Sequence, residues 1–175
     1  MKAIEGFESV EAMGGNEYRQ LPPGGYTAYI TKAEDVPDKE YLKLEFEICD
    51  GEYKGYGADC LERNGFTPLR FIRSYKPKAA GFFKQFINTM EQGNHGYKWN
   101  WDEKTLVNRY LGVVMGEEEY RKRDGSIGTR LTVTRLLTPN EVVYGKFKVP
   151  AKKTLVVEEL PSAPMPTDDD LPFDL

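Results

Sequence analysis

Aromatic and basic side chains are interleaved in several predicted strands and loops of this sequence. Proteins hold a single strand of nucleic acid with such a mixture, because bases stack on flat side chains and phosphates attract cations along a groove. Each stacked base contributes about 1–3 kcal/mol. The pattern predicts a surface for single-stranded nucleic acid formed by Tyr53, Lys54, Tyr56, Arg70, Phe71, Arg73, Tyr75, Lys76, Lys78, Trp99, Arg121, Lys122, Arg123 and Arg130. The alternative is that these are ordinary surface cations and that half of the aromatic residues belong to the core.

The two tryptophans, Trp99 and Trp101, stand two positions apart. In an extended segment such residues face the same side. They could form a platform for bases or a shelf for a sugar. The alternative is that at least one of them packs in the core, as large aromatic side chains commonly do.

Signals for catalysis are weak in this chain. The sequence has no glycine-rich phosphate loop with lysine, no nucleophile elbow and no histidine-rich metal motif. Cys60 and His95 could pair as nucleophile and base, but a buried thiol and a loop histidine explain them better. The acidic run of residues 117–119 is explained by a solvated hairpin edge better than by a magnesium site. We expect a binding protein that is not an enzyme and has neither a cofactor nor a metal.

The charge of the chain is distributed unevenly. The chain has 24 basic and 28 acidic residues. Residues 1–20 contain two basic and four acidic residues, and residues 156–175 contain six acidic residues and no basic residue. Residues 21–155 therefore keep 22 bases against 18 acids, although the whole chain has a net charge of −4. A mildly basic middle with acidic ends is compatible with a nucleic-acid-binding body.

The expected location follows from features that are missing from the sequence. It has no run of eighteen apolar residues, and its first ten residues carry Glu5 and Glu8 without a basic start and an apolar stretch. Its two cysteines are too few for a disulfide framework. We expect a cytoplasmic protein without a membrane span.

The elements that must position these residues are mostly strands. Alternating apolar positions, turn residues and an Asp124-Gly125 hairpin signal predict strands over residues 26–36, 41–48, 66–75, 110–120 and 127–137, with a further candidate at 142–149. Apolar residues at helical spacing predict one helix over residues 77–93, between the third and fourth strands.

Three strands, a helix and a two-stranded hairpin are the layout of an oligonucleotide-binding (OB) fold. We therefore predict a mainly β protein with an OB-fold-like barrel of five to six strands. An antiparallel β-sandwich with one helix is the alternative. The predicted organisation is an N-terminal arm (1–20), the barrel domain (21–155) and a disordered acidic tail (156–175).

The end of the tail carries the most specific motif, formed by Asp168, Asp169, Asp170, Leu171, Pro172 and Phe173. It resembles the acidic tip of bacterial single-stranded-DNA-binding proteins, which ends in several aspartates, an apolar residue, proline and phenylalanine. The resemblance implies that these six residues recruit partner proteins. Aspartates would steer the tip toward a basic rim, and Leu171 and Phe173 would fill an apolar pocket. Asp174 and Leu175 depart from the family pattern, in which phenylalanine is last. The alternative is a tail that only keeps the chain in solution.

Two stretches of the body resemble phage-encoded single-stranded-DNA-binding and recombination-associated proteins of Gram-positive hosts. They are Phe71-Ile72-Arg73-Ser74-Tyr75-Lys76 and Asn94-His95-Gly96-Tyr97-Lys98-Trp99. The resemblance implies binding of single-stranded DNA during replication or recombination of a phage or prophage genome, in the cytoplasm of a bacterial host. Its implied partners are replication or recombination proteins of host or phage, and the oligomeric state stays open, homo-oligomers included. The alternative function is a β-sandwich module that binds carbohydrate or protein.

Overall fold

Alternation of apolar and polar side chains produces antiparallel strands in the computed structural model, which describes residues 20–155. The strands are β1 (Gly24–Val36), β2 (Tyr41–Ile48), β3 (Arg70–Ser74), β4 (Tyr110–Arg121) and β5 (Ile127–Leu137). Over the described residues they form one sheet in the order β3-β2-β1-β4-β5. The prediction of a mainly β protein is confirmed, and these residues form one sheet where a sandwich would need two.

The first strand, β1, joins the two halves of the sheet. Its first residues pair with β4, from Gly24 opposite Met115 to Tyr29 opposite Tyr110. Its later residues pair with β2, with a register shift between Ile30 and Lys32. A bulge of this kind bends a strand and increases its twist. The bulge in β1 therefore curves the sheet between its two edge strands.

Helices accompany the sheet at three places in this part of the chain: α1 (Tyr56–Asn64), α2 (Ala80–Gly93) and α3 (Pro139–Val143). The predicted helix is confirmed as α2, which follows a 3-10 turn at Pro77–Ala79 and lies between β3 and β4 in the chain. Its apolar residues share one face. That face packs into the main core through Phe83, Phe86, Ile87 and Met90.

The sheet is open, which corrects the expectation of a closed barrel. β3 and β5 are the edge strands, and although they lie near each other they are not hydrogen-bonded to one another. The predicted third strand, residues 66–75, is also longer than the observed β3. Pro68 lies in the missing part and has no N–H for a ladder. A short β3 leaves little edge with which to close a barrel.

The candidate sixth strand over residues 142–149 is wrong. Pro139 occupies the first turn of α3, and Thr138 and Glu141 form a capping box, in which the Glu141 carboxylate accepts a hydrogen bond from the Thr138 N–H at 2.8 Å. These helix-start signals outweigh the strand preference of the valines that follow. Residues 144–149 are assigned to neither helix nor strand.

The helix α1 stands where the sequence predicted only a loop. Its first turn is fixed by Glu47, whose carboxylate accepts hydrogen bonds from the N–H groups of Gly57 at 2.9 Å and Ala58 at 2.7 Å. These N–H groups have no partner inside a helix. The alternation of β2 puts Glu47 with its polar residues, but Glu47 is buried because α1 covers that end of the strand.

None of the described helices is long and apolar enough to span a membrane.

Candidate nucleic-acid interface

A groove with a volume of about 890 Å³ lies between the edge strands β3 and β5. Strands from the two halves of the sheet supply its walls. One wall contains Tyr41, Lys43, Arg70, Ile72 and Arg73. The other contains Glu118, Tyr120, Arg130, Thr132 and Val133. The gap in the sheet therefore forms an open channel between residues that are far apart in sequence.

The charge of the groove is strongly one-sided. Four cations line it, namely Lys43, Arg70, Arg73 and Arg130. Glu118 is the one carboxylate among the lining residues that the structure describes. A channel with this balance attracts an anionic chain and raises its local concentration.

Arg73 is the most desolvated of these cations. Its guanidinium lies over the Phe71 ring, 5.2 Å from the centroid, and Nη1 donates a hydrogen bond to the carbonyl of Ile72 at 3.2 Å. Burial lowers its pKa from the usual arginine value. Within residues 20–155 it makes no ion pair with a carboxylate. Arg73 is thus a charged group with unused hydrogen-bond donors beside the groove, which suits binding of a phosphate.

Arg130 on the opposite wall is already engaged. Its Nε donates to Glu118 Oε1 at 2.6 Å, and its guanidinium lies 5.2 Å from the centroid of the Tyr120 ring. Glu118 therefore offsets part of the charge that Arg130 brings to the groove. Arg70 on the first wall is exposed and stands opposite Glu45 in the β2–β3 register.

Several groove residues were missed by the sequence analysis. Lys43 pairs with Ile72 and Tyr41 with Ser74 across β2 and β3, which brings Tyr41 and Lys43 to the wall. Ile72 is 51% exposed there, and Tyr120 lies on the other wall. The alternation of β2 already placed Lys43 on the solvent side, but strand pairing was needed to place it in a groove.

The hairpin tip carries three exposed cations beyond the groove, Arg121, Lys122 and Arg123. The turn is well defined, because Lys122 N–H donates to the Ser126 carbonyl at 2.8 Å and Asp124 accepts from the Ser126 N–H at 2.9 Å. Hydrogen bonds from Ser126 also lower the pKa of the Asp124 carboxyl. The tip can therefore extend a positively charged path from Tyr120 outward.

Two of the predicted stacking residues are core residues. Tyr56 is 6% exposed and Phe71 is 8% exposed. Phe71 packs between Phe46 and Phe86, with ring centroids 6.0 and 5.9 Å away. Their rings leave no free face for a base, and their contribution to the groove is to support its floor.

Tyr53 and Lys54 lie away from the groove. They line a separate cavity beside α1, together with Tyr56 and Arg63. Tyr53 is half-buried, with its ring edge-on to Tyr26 at 6.1 Å. The structure therefore does not bring these two predicted residues together with the cations of the groove.

Tyr75, Lys76 and Lys78 follow the end of β3. The Tyr75 hydroxyl donates to Asp35 Oδ1 at 2.8 Å, and this hydrogen bond raises the tyrosine pKa. Its ring meets Phe83 edge-on at 6.1 Å. Lys76 and Lys78 are exposed and form no ion pair among the described residues.

The two tryptophans have different surroundings. Trp99 is half-buried against the core, its ring 6.2 Å from Phe83, and its Nε1 is buried without an acceptor among the described residues. Trp101, which was considered with Trp99 as a platform for bases or a shelf for a sugar, is 79% exposed. The expectation that at least one tryptophan packs against the core is confirmed.

The residues considered for a metal site and for a catalytic pair all lie in the described part of the chain. It contains no group of three or more His, Cys, Asp or Glu residues placed to hold a metal ion. Within the acidic run, Glu118 pairs with Arg130, and Glu119 lies 3.6 Å from Lys152. Cys60 is buried and His95 is exposed.

The predicted partner-binding residues, Asp168 to Phe173, lie outside the described residues, as does nearly all of the predicted N-terminal arm. The segment that leads to the tail is described. Lys153 N–H donates to the Glu117 carbonyl at 2.9 Å, and Leu155 N–H donates to Glu119 Oε2 at 3.1 Å. The chain therefore enters the tail beside β4, on the strand that carries Glu118 and Tyr120.

Comparison with known proteins gives no match to any family model, and no curated protein matches the sequence.

Proposed function

We propose that this protein binds single-stranded DNA without strong sequence preference, in the groove between β3 and β5. The observation that carries the proposal is that, among residues 20–155, four cations and one carboxylate line this groove. Binding of single strands without sequence preference uses such a groove for the backbone and aromatic side chains for the bases. The groove is lined by the rings of Tyr41 and Tyr120 on its walls and by Phe66, which is 54% exposed.

The arrangement of elements supports the same proposal. An OB-fold places its helix between the third and fourth strands and binds oligonucleotides across the face of its second and third strands and in adjoining loops. Here α2 occupies that place in the chain, and the groove crosses β2 and β3. We propose an OB-like fold whose barrel is left open between β3 and β5.

The biological role that we propose is replication or recombination of a phage or prophage genome. It rests on the resemblance of two stretches of the body and of the acidic tip to single-stranded-DNA-binding proteins. The body would hold DNA, and residues 168–173 would recruit replication or recombination proteins of host or phage. In this role the protein is a binding protein and not an enzyme.

Substitution of Arg73 tests the groove directly. Arg73→Gln removes the charge and keeps a polar side chain of similar reach. We expect it to weaken binding of labelled oligo-dT by about 10-fold or more in fluorescence anisotropy, because hydrogen bonds to charged groups are worth about 1.5–3 kcal/mol. Loss of a phosphate contact should also reduce the salt slope by about 0.7.

Arg63→Gln is the matched control. Arg63 is an exposed arginine on α1 that does not line the groove. The Arg63→Gln variant should bind oligo-dT with the same affinity as the unmodified protein. Equal affinity of Arg73→Gln and Arg63→Gln, with both variants folded, would show that the groove is not the binding site.

A further inference from the structure

A cluster of aromatic rings lies beside α2, just beyond the end of β3. We call it the aromatic shelf and define it by Tyr75, Phe83, Trp99 and Trp101. Phe83 is its centre, with ring centroids 6.1 Å from Tyr75, 6.2 Å from Trp99 and 6.3 Å from Trp101. The planes of Phe83 and Trp101 differ by 15°, so these two rings are stacked.

Trp101 has an unfavourable backbone conformation. Its φ is +65°, a value that side chains with a Cβ rarely adopt and that is an outlier for a bulky residue. With 79% of its surface exposed, the ring gains little from burial in return. Strained residues of this kind persist where the surroundings fix them and are common at binding sites. The Trp101 ring lies 6.3 Å from the Phe83 ring and 6.0 Å from the Trp99 ring, and most of its surface is open to a flat ligand.

The shelf continues from the groove. Arg73 lines the groove, and Tyr75 stands two positions further along the same extended segment, where its N–H still donates to the Glu40 carbonyl at 3.0 Å. Residues two apart on an extended segment face the same side, about 7 Å apart. Lys76 and Lys78 follow directly. A DNA strand leaving the groove past Arg73 would therefore reach Tyr75 of the shelf and the two lysines that follow Tyr75 in the chain.

We propose that the aromatic shelf binds one or two nucleobases of a strand whose neighbouring nucleotides occupy the groove, with Trp101 supplying the stacking face. The inference rests on the proposed function, and it extends the DNA path beyond the groove. Lys76 and Lys78 favour this occupant, because cations beside a stacking ring match the phosphate next to each base. A neutral sugar would leave both charges unused.

The shelf predicts that binding depends on oligonucleotide length. We would titrate oligo-dT of about 4 to about 16 nucleotides, the range of site sizes for such domains, into the unmodified protein and Trp101→Gly. Glycine accepts the positive φ, so this variant removes the ring without backbone strain. We expect it to weaken binding of the long oligonucleotides by about 5- to 150-fold, the loss of one base stack, and to leave the shortest unchanged. Trp101→Phe should keep most of the affinity.

Tyr144→Ala is the control, because it removes a ring that is 75% exposed at the end of α3, outside both the groove and the shelf. Thermal unfolding by circular dichroism checks that each variant is folded. Tryptophan fluorescence gives a second readout. Long oligo-dT should quench the unmodified protein, and Trp101→Phe should lose most of this quenching while it still binds.

The outcomes separate the two proposals. If the unmodified protein binds oligo-dT and Trp101→Gly binds each length as tightly as the unmodified protein does, the shelf is not a base-binding site and the groove proposal stands. A loss in Trp101→Gly that is the same for the shortest and longest oligonucleotides also contradicts the shelf. If the unmodified protein binds no oligo-dT of any length but its tryptophan fluorescence responds to an acidic peptide or a glycan, both proposals are wrong.

Discussion

Two arginines on opposite walls of the groove show how one residue type can differ in what it offers a ligand. Arg130 is neutralised in part by Glu118 at 2.6 Å, whereas Arg73 forms no ion pair among the described residues and is desolvated against Phe71. A phosphate that meets Arg73 displaces no carboxylate. A phosphate that meets Arg130 competes with Glu118, which makes Glu118 the residue that limits affinity on that wall.

Substitution of Glu118 should therefore strengthen DNA binding. Glu118→Gln removes the one carboxylate among the described residues that line the groove, and it frees Arg130. We expect oligo-dT affinity at low salt to rise by up to about fivefold, since exposed ion pairs are worth about 0.2–1 kcal/mol. The neighbouring Glu119 pairs with Lys152 and does not line the groove, so Glu119→Gln should change affinity little. If Glu119→Gln raised oligo-dT affinity as much as Glu118→Gln or more, the DNA would have to bind outside the groove.

At the scale of elements, the hairpin of β4 and β5 places positive charge at its tip, beyond the groove. Its tip is held by hydrogen bonds within the turn, and its three cations are exposed. An isolated turn contributes little to the core. The charge of the tip and the stability of the domain should therefore be separable.

Replacement of Arg121, Lys122 and Arg123 by alanine tests this separation. We expect weaker oligo-dT binding and a salt slope reduced by up to about 2, with about 0.7 lost for each phosphate contact. The free energy of unfolding should change by no more than about 0.5 kcal/mol per exposed residue. Chemical denaturation and anisotropy measure the two quantities. Full affinity in the folded variant, or loss of the cooperative unfolding transition, would contradict the proposal that the hairpin tip binds DNA without stabilising the domain.

The elements also show what a sequence can predict. The bounds of β2 agree with the prediction because Leu42, Leu44, Phe46 and Ile48 alternate with polar residues without a break. The hairpin follows from Asp124-Gly125, where Gly125 has a φ of +85°. The α1 helix was missed because it buries only Tyr56, Gly57 and Cys60 and takes its cap from Glu47, ten residues earlier.

The groove was only partly predictable for a related reason. Arg70 and Arg73 were predicted from a local cluster of basic and aromatic residues and Arg130 from the outward face of the fifth strand, and all three line the groove. Lys43 and Tyr120 belong to it because β2 and β4 flank β1 on opposite sides of the sheet. Local patterns cannot tell which distant strands pair. The same limit explains why Phe71 was predicted as a stacking residue. Its basic neighbours suggested a surface ring, but its strand partner Leu44 lies in the core, and so does Phe71.

At the scale of the whole molecule, a basic body is joined to an acidic segment. Residues 21–155 carry 22 bases and 18 acids, and the tail carries six acids and no base. The chain enters the tail beside Glu119 on β4, the strand that also supplies a wall of the groove. The sequence predicts a disordered tail, and a disordered segment tethered there would reach a local concentration of about millimolar, as short flexible linkers do. The tail should therefore compete weakly with DNA.

Truncation after Leu160 should leave the fold intact and leave DNA affinity equal or higher. The gain should be largest at low salt, where charges are screened least. The cut lies beyond Lys153 and Leu155, so their hydrogen bonds to β4 remain. Phe173→Ala keeps every charge and removes the apolar anchor, so it should abolish capture of a tip-recognising partner and spare DNA binding. A truncated protein that no longer binds oligo-dT would make the tail part of the DNA-binding domain.

The most direct test of the central claim compares one length of labelled oligo-dT with duplex DNA of that length, by fluorescence anisotropy from about 50 to about 200 mM salt. The groove predicts tighter binding of the single strand at every salt concentration. It also predicts a log–log slope of about −0.7 per neutralised phosphate, hence near −3 from the four groove cations and up to about −5 if the three cations of the hairpin tip engage as well. Binding that is independent of salt, or that favours the duplex, would contradict a single-strand site between β3 and β5.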